Sequence, residues 1–138
     1  MVDLSDDVRG LIEDANLAHF VTLMKSGAPQ VTPVWVDHDG THVLINTAEG
    51  RQKALNLKRE PRVALSVVDR NNSQRYVQVR GRVVQTIGGE EAYQHINKLS
   101  KKYSNNPNRE YPRREGEQRL ILKVRPDHVF YRPGARRD

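Results

Sequence analysis

Arg51 and Lys53 are the residues best placed to do chemistry. They sit in the run Asn46-Thr47-Ala48-Glu49-Gly50-Arg51-Gln52-Lys53-Ala54-Leu55-Asn56-Leu57. This run passes from the end of an apolar strand into a short helix. Cations at a helix start face the positive end of the macrodipole, which disfavours them by roughly 0.3–1 kcal/mol each. First-turn amides and two cations at one corner can instead cradle a phosphate. The competing reading is a solvated helix face on which Glu49 or other acids neutralise the pair.

A second candidate lies upstream, in Val31-Thr32-Pro33-Val34-Trp35-Val36. Trp35 is the only tryptophan, and it reads either as a core or interface aromatic or as a wall for a flat ring. Pro33 cannot donate to a ladder, so it marks an edge or a bulge where backbone groups are free to meet a ligand. Other chemistries lack their residues. His38 and His42 flank a turn without a third ligand, so no metal site is expected. No Gly-x-Ser-x-Gly elbow, Gly-x-Gly-x-x-Gly or Gly-x-x-x-x-Gly-Lys run occurs, which argues against triad hydrolysis and against Rossmann or P-loop nucleotide sites.

The chain of 138 residues has the length of one domain, expected over 1–138, and no cysteine for disulfides or thiolate metal sites. No apolar run approaches the ~20 residues of a membrane span, and the acidic N-terminus has no signal-peptide core. A soluble, cytoplasmic protein is expected. Residues 1–100 carry 12 basic and 12 acidic side chains, while residues 101–138 carry 11 against 5, which places the whole net charge of +6 there. Such a segment suits a polyanion or is simply a solvated surface. Aromatic residues are too sparse among its cations for single-strand stacking, so nucleic acid is not an expected partner.

The elements that must hold the candidates follow from periodicity. Ser5 caps a first helix with Val8, Leu11, Ile12 and Ala15 at helical spacing. Strands are expected at His19–Met24, Gln30–Val36 and Thr41–Thr47, with Asp39-Gly40 turning the chain. A short helix over Arg51–Arg59 packs through Ala54, Leu55 and Leu57, and Pro61 ends it. Strands follow at Arg62–Asp69 and Tyr76–Ile87, the latter bulged at Gly81. A helix over Glu90–Tyr103 carries Tyr93, Ile96, Leu99 and Tyr103 on one face. Residues 104–118 form a polar loop, mobile until something binds, and Arg119–Tyr131 alternates as a sixth strand. Six strands in hairpins with a few short helices give a mainly β, antiparallel barrel or curled sheet, followed by a basic tail at 132–138.

Together these residues resemble a known family. Gly27-x-Pro29-Gln30-x-x-Pro33-Val34-Trp35, Val43-Leu44-Ile45-Asn46-Thr47, Arg51-x-Lys53-x-x-Asn56-Leu57-x-x-x-Pro61-Arg62-Val63 and Tyr76-Val77-Gln78-Val79-Arg80-Gly81 are similar to the pyridoxamine 5'-phosphate oxidase-like split β-barrel superfamily. Within it, the chain most resembles subgroup B of the actinobacterial flavin/deazaflavin oxidoreductases, typically dependent on coenzyme F420. The likeness covers about residues 5–131. It implies a six-stranded split β-barrel, a homodimer with cofactor at the subunit interface, and hydride transfer to an electron-poor small molecule such as an enone, quinone or tetrapyrrole. FMN is the alternative cofactor, and a non-catalytic cofactor carrier the alternative role.

By position, the resemblance puts Asn46, Thr47, Arg51 and Lys53 on the cofactor phosphate. It puts Thr32, Pro33, Val34 and Trp35 on its ring, and Tyr76 and Gln78 on the strand framing the interface. Arg109, Arg113 and Arg114 of the loop would meet a cofactor tail or the substrate. Two departures point away from pyridoxamine oxidation. Gln52 separates Arg51 from Lys53, and Arg125-Pro126-Asp127-His128 lacks the Arg-x-His spacing of those oxidases.

Overall fold

A computed structural model describes residues 1–135; Arg136, Arg137 and Asp138, which end the expected basic tail, lie outside the described residues. The first helix, α1 (Asp6–Glu13), is capped by Ser5, whose Oγ accepts from the Val8 amide at 3.2 Å. Val8, Leu11 and Ile12 are buried on its inner face, and each such side chain contributes roughly 1.5–3 kcal/mol. There follow β1 (Ala18–Leu23), β2 (Pro29–Val34), β3 (Val36–His38), β4 (Val43–Ala48), α2 (Gln52–Arg59), β5 (Arg62–Asp69), β6 (Asn72–Ile87), α3 (Gly89–Ser104) and β7 (Arg119–Pro133).

The seven strands form one sheet in the order β2-β1-β5-β6-β7-β4-β3, antiparallel at every pairing. Six were expected, because Gln30–Val36 reads as one strand. It is two: Pro29–Val34 pairs with β1, and Val36–His38 pairs with β4. These are the two opposite edges of the sheet, and Trp35 alone separates them. Adjacent Cα atoms are about 3.8 Å apart, so the edges come within about 7 Å of one another there. The sheet must therefore curl until it nearly closes on itself, with Trp35 at the seam. Pro33 sits on the edge strand β2, where its missing N–H leaves no ladder bond unmade.

Inside the curl lie Phe20, Ile45, Val77, Val79, Leu122 and Val124, closed off at one end by α1. Gly81 lets β6 and β7 cross tightly. A Cβ there would lie 1.9 Å from the Arg125 carbonyl oxygen, beside the point where the β6–β7 register shifts. Against this barrel, α3 buries Ala92, His95, Ile96 and Leu99. The face is turned from the expected one: Tyr93 is only half-buried and His95 points inward. The last turn of α3 is stapled to the seam. Lys102 Nζ donates to the carbonyls of Ile12 (2.9 Å) and Val36 (2.6 Å), and burial pushes its pKa down to about 8.

Candidate functional site

At the seam, β2, β4, α2 and the start of β7 meet around a cleft of about 290 Å³. Its lining includes Pro33, Val34, Trp35, Asn46, Thr47, Arg51 and Lys53, so seven of the ten expected site residues share one cavity. The corner is built by a tight reversal. Gly50 takes φ +87°, and the Arg51 amide donates back to the Ala48 carbonyl at 3.3 Å. Arg51 is then the extended N-cap of α2, and its side chain caps no amide. No acidic residue occupies the first turn. Gln52 does not come between the cations: its Nε2 donates to Asn56 Oδ1 at 2.8 Å. Asn56 is itself buried, donating to Thr22 Oγ1 at 2.9 Å, while Leu55, expected to pack, is 46% exposed.

Glu49 does not neutralise this corner, because its carboxylate pairs with Lys58 instead. Among the described residues, neither Arg51 nor Lys53 has an ion pair or a side-chain hydrogen bond. Lys53 is nonetheless 9% exposed. Burial lowers its pKa, and the charges of Arg51 and Arg119 lower it further. An ammonium in such a place is destabilising until an anion joins it.

Arg119 is a third cation that sequence reasoning left as an ordinary strand residue. It is 8% exposed and is the register partner of Ala48, so β7 brings it beside Thr47. Its Nε donates to Asn46 Oδ1 at 3.0 Å, Nη1 lies 3.6 Å from Glu117, and the guanidinium lies 5.2 Å from the Tyr111 ring centre. Tyr111, Leu17 and Ile96 complete the lining and were also missed. Thr47 Oγ1 adds a polar vacancy. Together with Thr32 Oγ1, it is a fully buried side-chain oxygen with no hydrogen-bond partner among the described residues. Leaving such a group unpaired costs about 1–3 kcal/mol. Three cations, an orphaned hydroxyl and uncapped helix amides suit a phosphate better than any neutral group.

Trp35 packs on one side and faces open space on the other. One ring face stacks on Tyr103, centroids 5.2 Å apart and planes within 9°. Tyr103 is fixed in turn: its hydroxyl accepts from the Val36 amide at 3.0 Å and donates to the Asn16 carbonyl at 2.6 Å, while burial pushes its pKa up to about 12. The indole also lines the phosphate-type cleft and a second cavity of about 390 Å³ with Leu17, Tyr103 and Arg109. Arg109 is the loop arginine found at that second cavity. Arg113 forks onto Glu90 and lies 3.4 Å over the Tyr93 ring, and Arg114 reaches Glu117 at 3.8 Å.

Thr32, Tyr76 and Gln78 do not line the cleft. Val77 and Val79 point into the core, so strand alternation turns Tyr76 and Gln78 to the outer sheet face. There Tyr76 tilts against Phe130 at 6.2 Å, and Gln78 lines a groove of about 700 Å³ with His19, Ser66 and Phe130. Among the described residues no cluster of three or more metal-ligating side chains forms; His38 Nε2 sits 2.8 Å from Glu13. Nor is any described helix long and apolar enough to cross a membrane.

Comparison with known proteins adds a family. The model of the pyridoxamine 5'-phosphate oxidase family matches residues 4–132. A solved structure named F420 reductase is 33% identical, covers 88% of this chain and 94% of its own, and superposes with a TM-score of 0.78. A conserved hypothetical protein of Mycobacterium tuberculosis (18% identity, 96% of this chain and 88% of that one, TM-score 0.71) has the same fold. So does HupZ of Group A Streptococcus (18% identity, all of both chains, TM-score 0.63). No curated protein matches.

Proposed function

The chain belongs to the pyridoxamine 5'-phosphate oxidase family, and we propose that within it this protein is a coenzyme F420-dependent oxidoreductase that reduces an electron-poor small molecule of enone, quinone or tetrapyrrole type. The observation that carries the reading is Lys53, a buried ammonium beside Arg51 with no partner among the described residues. Such a pair calls for a ligand of at least one phosphate. The 33% identity to an F420 reductase favours the deazaflavin over FMN as the ring attached to it.

In this reading Arg51, Lys53, Arg119 and Thr47 grip the phosphate, with the first amides of α2 behind them. Asn46 holds Arg119 in place. Pro33, Val34 and Trp35 offer backbone and indole edge to the flat ring, with Thr32 one residue further back on β2. When bound, the deazaflavin supplies the hydride chemistry. The chain's own contribution is to fix the donor against the acceptor and keep water out.

A second copy of the chain covers the outer sheet face. Val31 and Phe130 stand 59% and 56% exposed there, beside a groove that Val21, Leu65 and Val129 also line, and a partner surface would cover them. Tyr76 and Gln78 then become interface residues, as their strand's role in the family suggests.

Calorimetric titration with coenzyme F420 and, separately, with FMN tests the assignment, with sedimentation to read the oligomer. Tighter binding of F420, oxidation of its reduced form by an enone or quinone, and a dimer are expected. Preference for FMN would make this a flavin enzyme of the same family. F420 binding without turnover over a broad acceptor panel would make it a carrier. Binding of neither would overturn the phosphate site.

A further inference from the structure

From Arg119 and Asn46 at the cleft, a buried polar chain runs on to two residues that do not line it, His95 and Asp37. Asp37 on β3, Asn46 on β4, His95 on α3 and Arg119 at the head of β7 are each 8% exposed. His95 Nε2 lies 3.1 Å from Asp37 Oδ2, His95 Nδ1 lies 3.0 Å from Asn46 Nδ2, and Asn46 Oδ1 lies 3.0 Å from Arg119 Nε.

The direction of every bond follows by elimination. A guanidinium only donates, so the Asn46 oxygen must face Arg119. The Asn46 NH2 then donates to the Ala92 carbonyl at 2.9 Å and to His95 Nδ1. A ring nitrogen facing an amide NH2 must accept, so Nδ1 is bare and the ring proton sits on Nε2, donated to Asp37. Asp37 is anchored in turn by the His38 amide and by Lys98 Nζ at 3.1 Å. The carboxylate sets the tautomer, the tautomer sets the amide, and the amide sets the guanidinium. A proton on Nδ1 would face the Asn46 NH2. Flipping that amide would only move the donor–donor clash to Arg119 Nε.

We infer that His95 is a positioning residue for anion binding, acting on Arg119 through the Asn46 amide. This rests on the phosphate reading of the cleft. Its distinctive requirement is an acceptor at the Nδ1 position. Asparagine places its Oδ1 close to where Nδ1 sits, whereas glutamine places its Nε2 close to the ring Nε2 and offers Asn46 no acceptor.

The test compares His95→Asn, His95→Gln and His95→Leu, using inorganic phosphate and FMN as ligands and melting temperature to confirm folding. His95→Asn is expected to stay within about threefold of the parent affinity, while His95→Gln and His95→Leu lose roughly tenfold, the scale of one hydrogen bond. In an Arg119→Ala background, His95→Leu should change affinity no further. Nitrogen-15 NMR of the ligand-free parent should show the Nε2–H tautomer of His95 and an exchange-protected Arg119 Nε–H. The protected signal should survive in His95→Asn and vanish in His95→Gln.

An Nδ1–H tautomer, or additive losses in the Arg119→Ala background, would overturn the inference. If the parent binds none of inorganic phosphate, FMN and coenzyme F420, the cleft reading fails, while the tautomer and the Arg119 signal still decide whether the chain exists. If His95→Leu does not fold, the asparagine–glutamine pair carries the test.

Discussion

Two groups of cations in this molecule look alike in composition and differ in company. Arg113, Arg114, Lys123 and Arg125 each have a carboxylate within 4 Å: Glu90, Glu117, Asp39 and Asp127. Arg51 and Lys53 have none among the described residues, although Lys53 is far more buried than Arg113 or Arg114. Net charge located the basic segment at 101–138, but the cleft draws only Arg119 from it. At the cleft Arg119 does have a carboxylate, Glu117 at 3.6 Å, so what marks the site is the unpartnered pair Arg51 and Lys53 and not the number of basic residues. Pairing, which costs nothing to read once the structure is known, separates a ligand site from a solvated surface.

This contrast can be tested by substitution. Lys53→Met should weaken FMN or F420 binding by roughly 1.5–3 kcal/mol, the loss of a charge-assisted hydrogen bond, as read by calorimetry. Thr47→Val should weaken it by about 1 kcal/mol while leaving the free protein as stable or more so, because an unpaired buried oxygen is removed; urea melts of the ligand-free protein check the second half. A smaller signature is the pH dependence of stability. Folding lowers the Lys53 pKa below its ordinary 10.5. Between the two values the unfolded chain holds the extra proton, so stability should rise with pH in that alkaline window. The slope difference between parent and Lys53→Met isolates this contribution from that of Lys102, and saturating phosphate should reduce it. At the far end of the scale, Arg113→Ala should leave both affinity and melting temperature unchanged. A loss of affinity there comparable to that of Lys53→Met would erase the distinction.

What the sequence disclosed depends on how far apart the interacting residues lie. Asn46, Thr47, Arg51 and Lys53 are legible together because one strand–turn–helix corner holds them, and Pro33 announces an edge by its missing donor. Arg119 was invisible because it reaches the corner only through β4–β7 pairing, opposite Ala48. Its one clue was parity: it shares a strand face with Ile121, which is buried. The seventh strand was hidden for a related reason. No glycine, asparagine or aspartate interrupts Gln30 to Val36, and no turn residue reports that the chain changes partners at Trp35. Tyr76 and Gln78 were assigned through family likeness, and in the single chain β6 turns them to the opposite face from the cleft.

The seam residue has one more consequence. Trp35 is the sole tryptophan of the chain, and it stands at the wall of both cavities. All indole emission of this protein therefore originates at the candidate site, from a ring already held flat against Tyr103. Excitation of the unlabelled protein interrogates the cleft alone, without background from any other indole. A planar, near-ultraviolet-absorbing ligand seated there would accept that excitation at contact range. The molecule carries its own optical gauge of occupancy, built into the one residue that joins the two edges of its sheet.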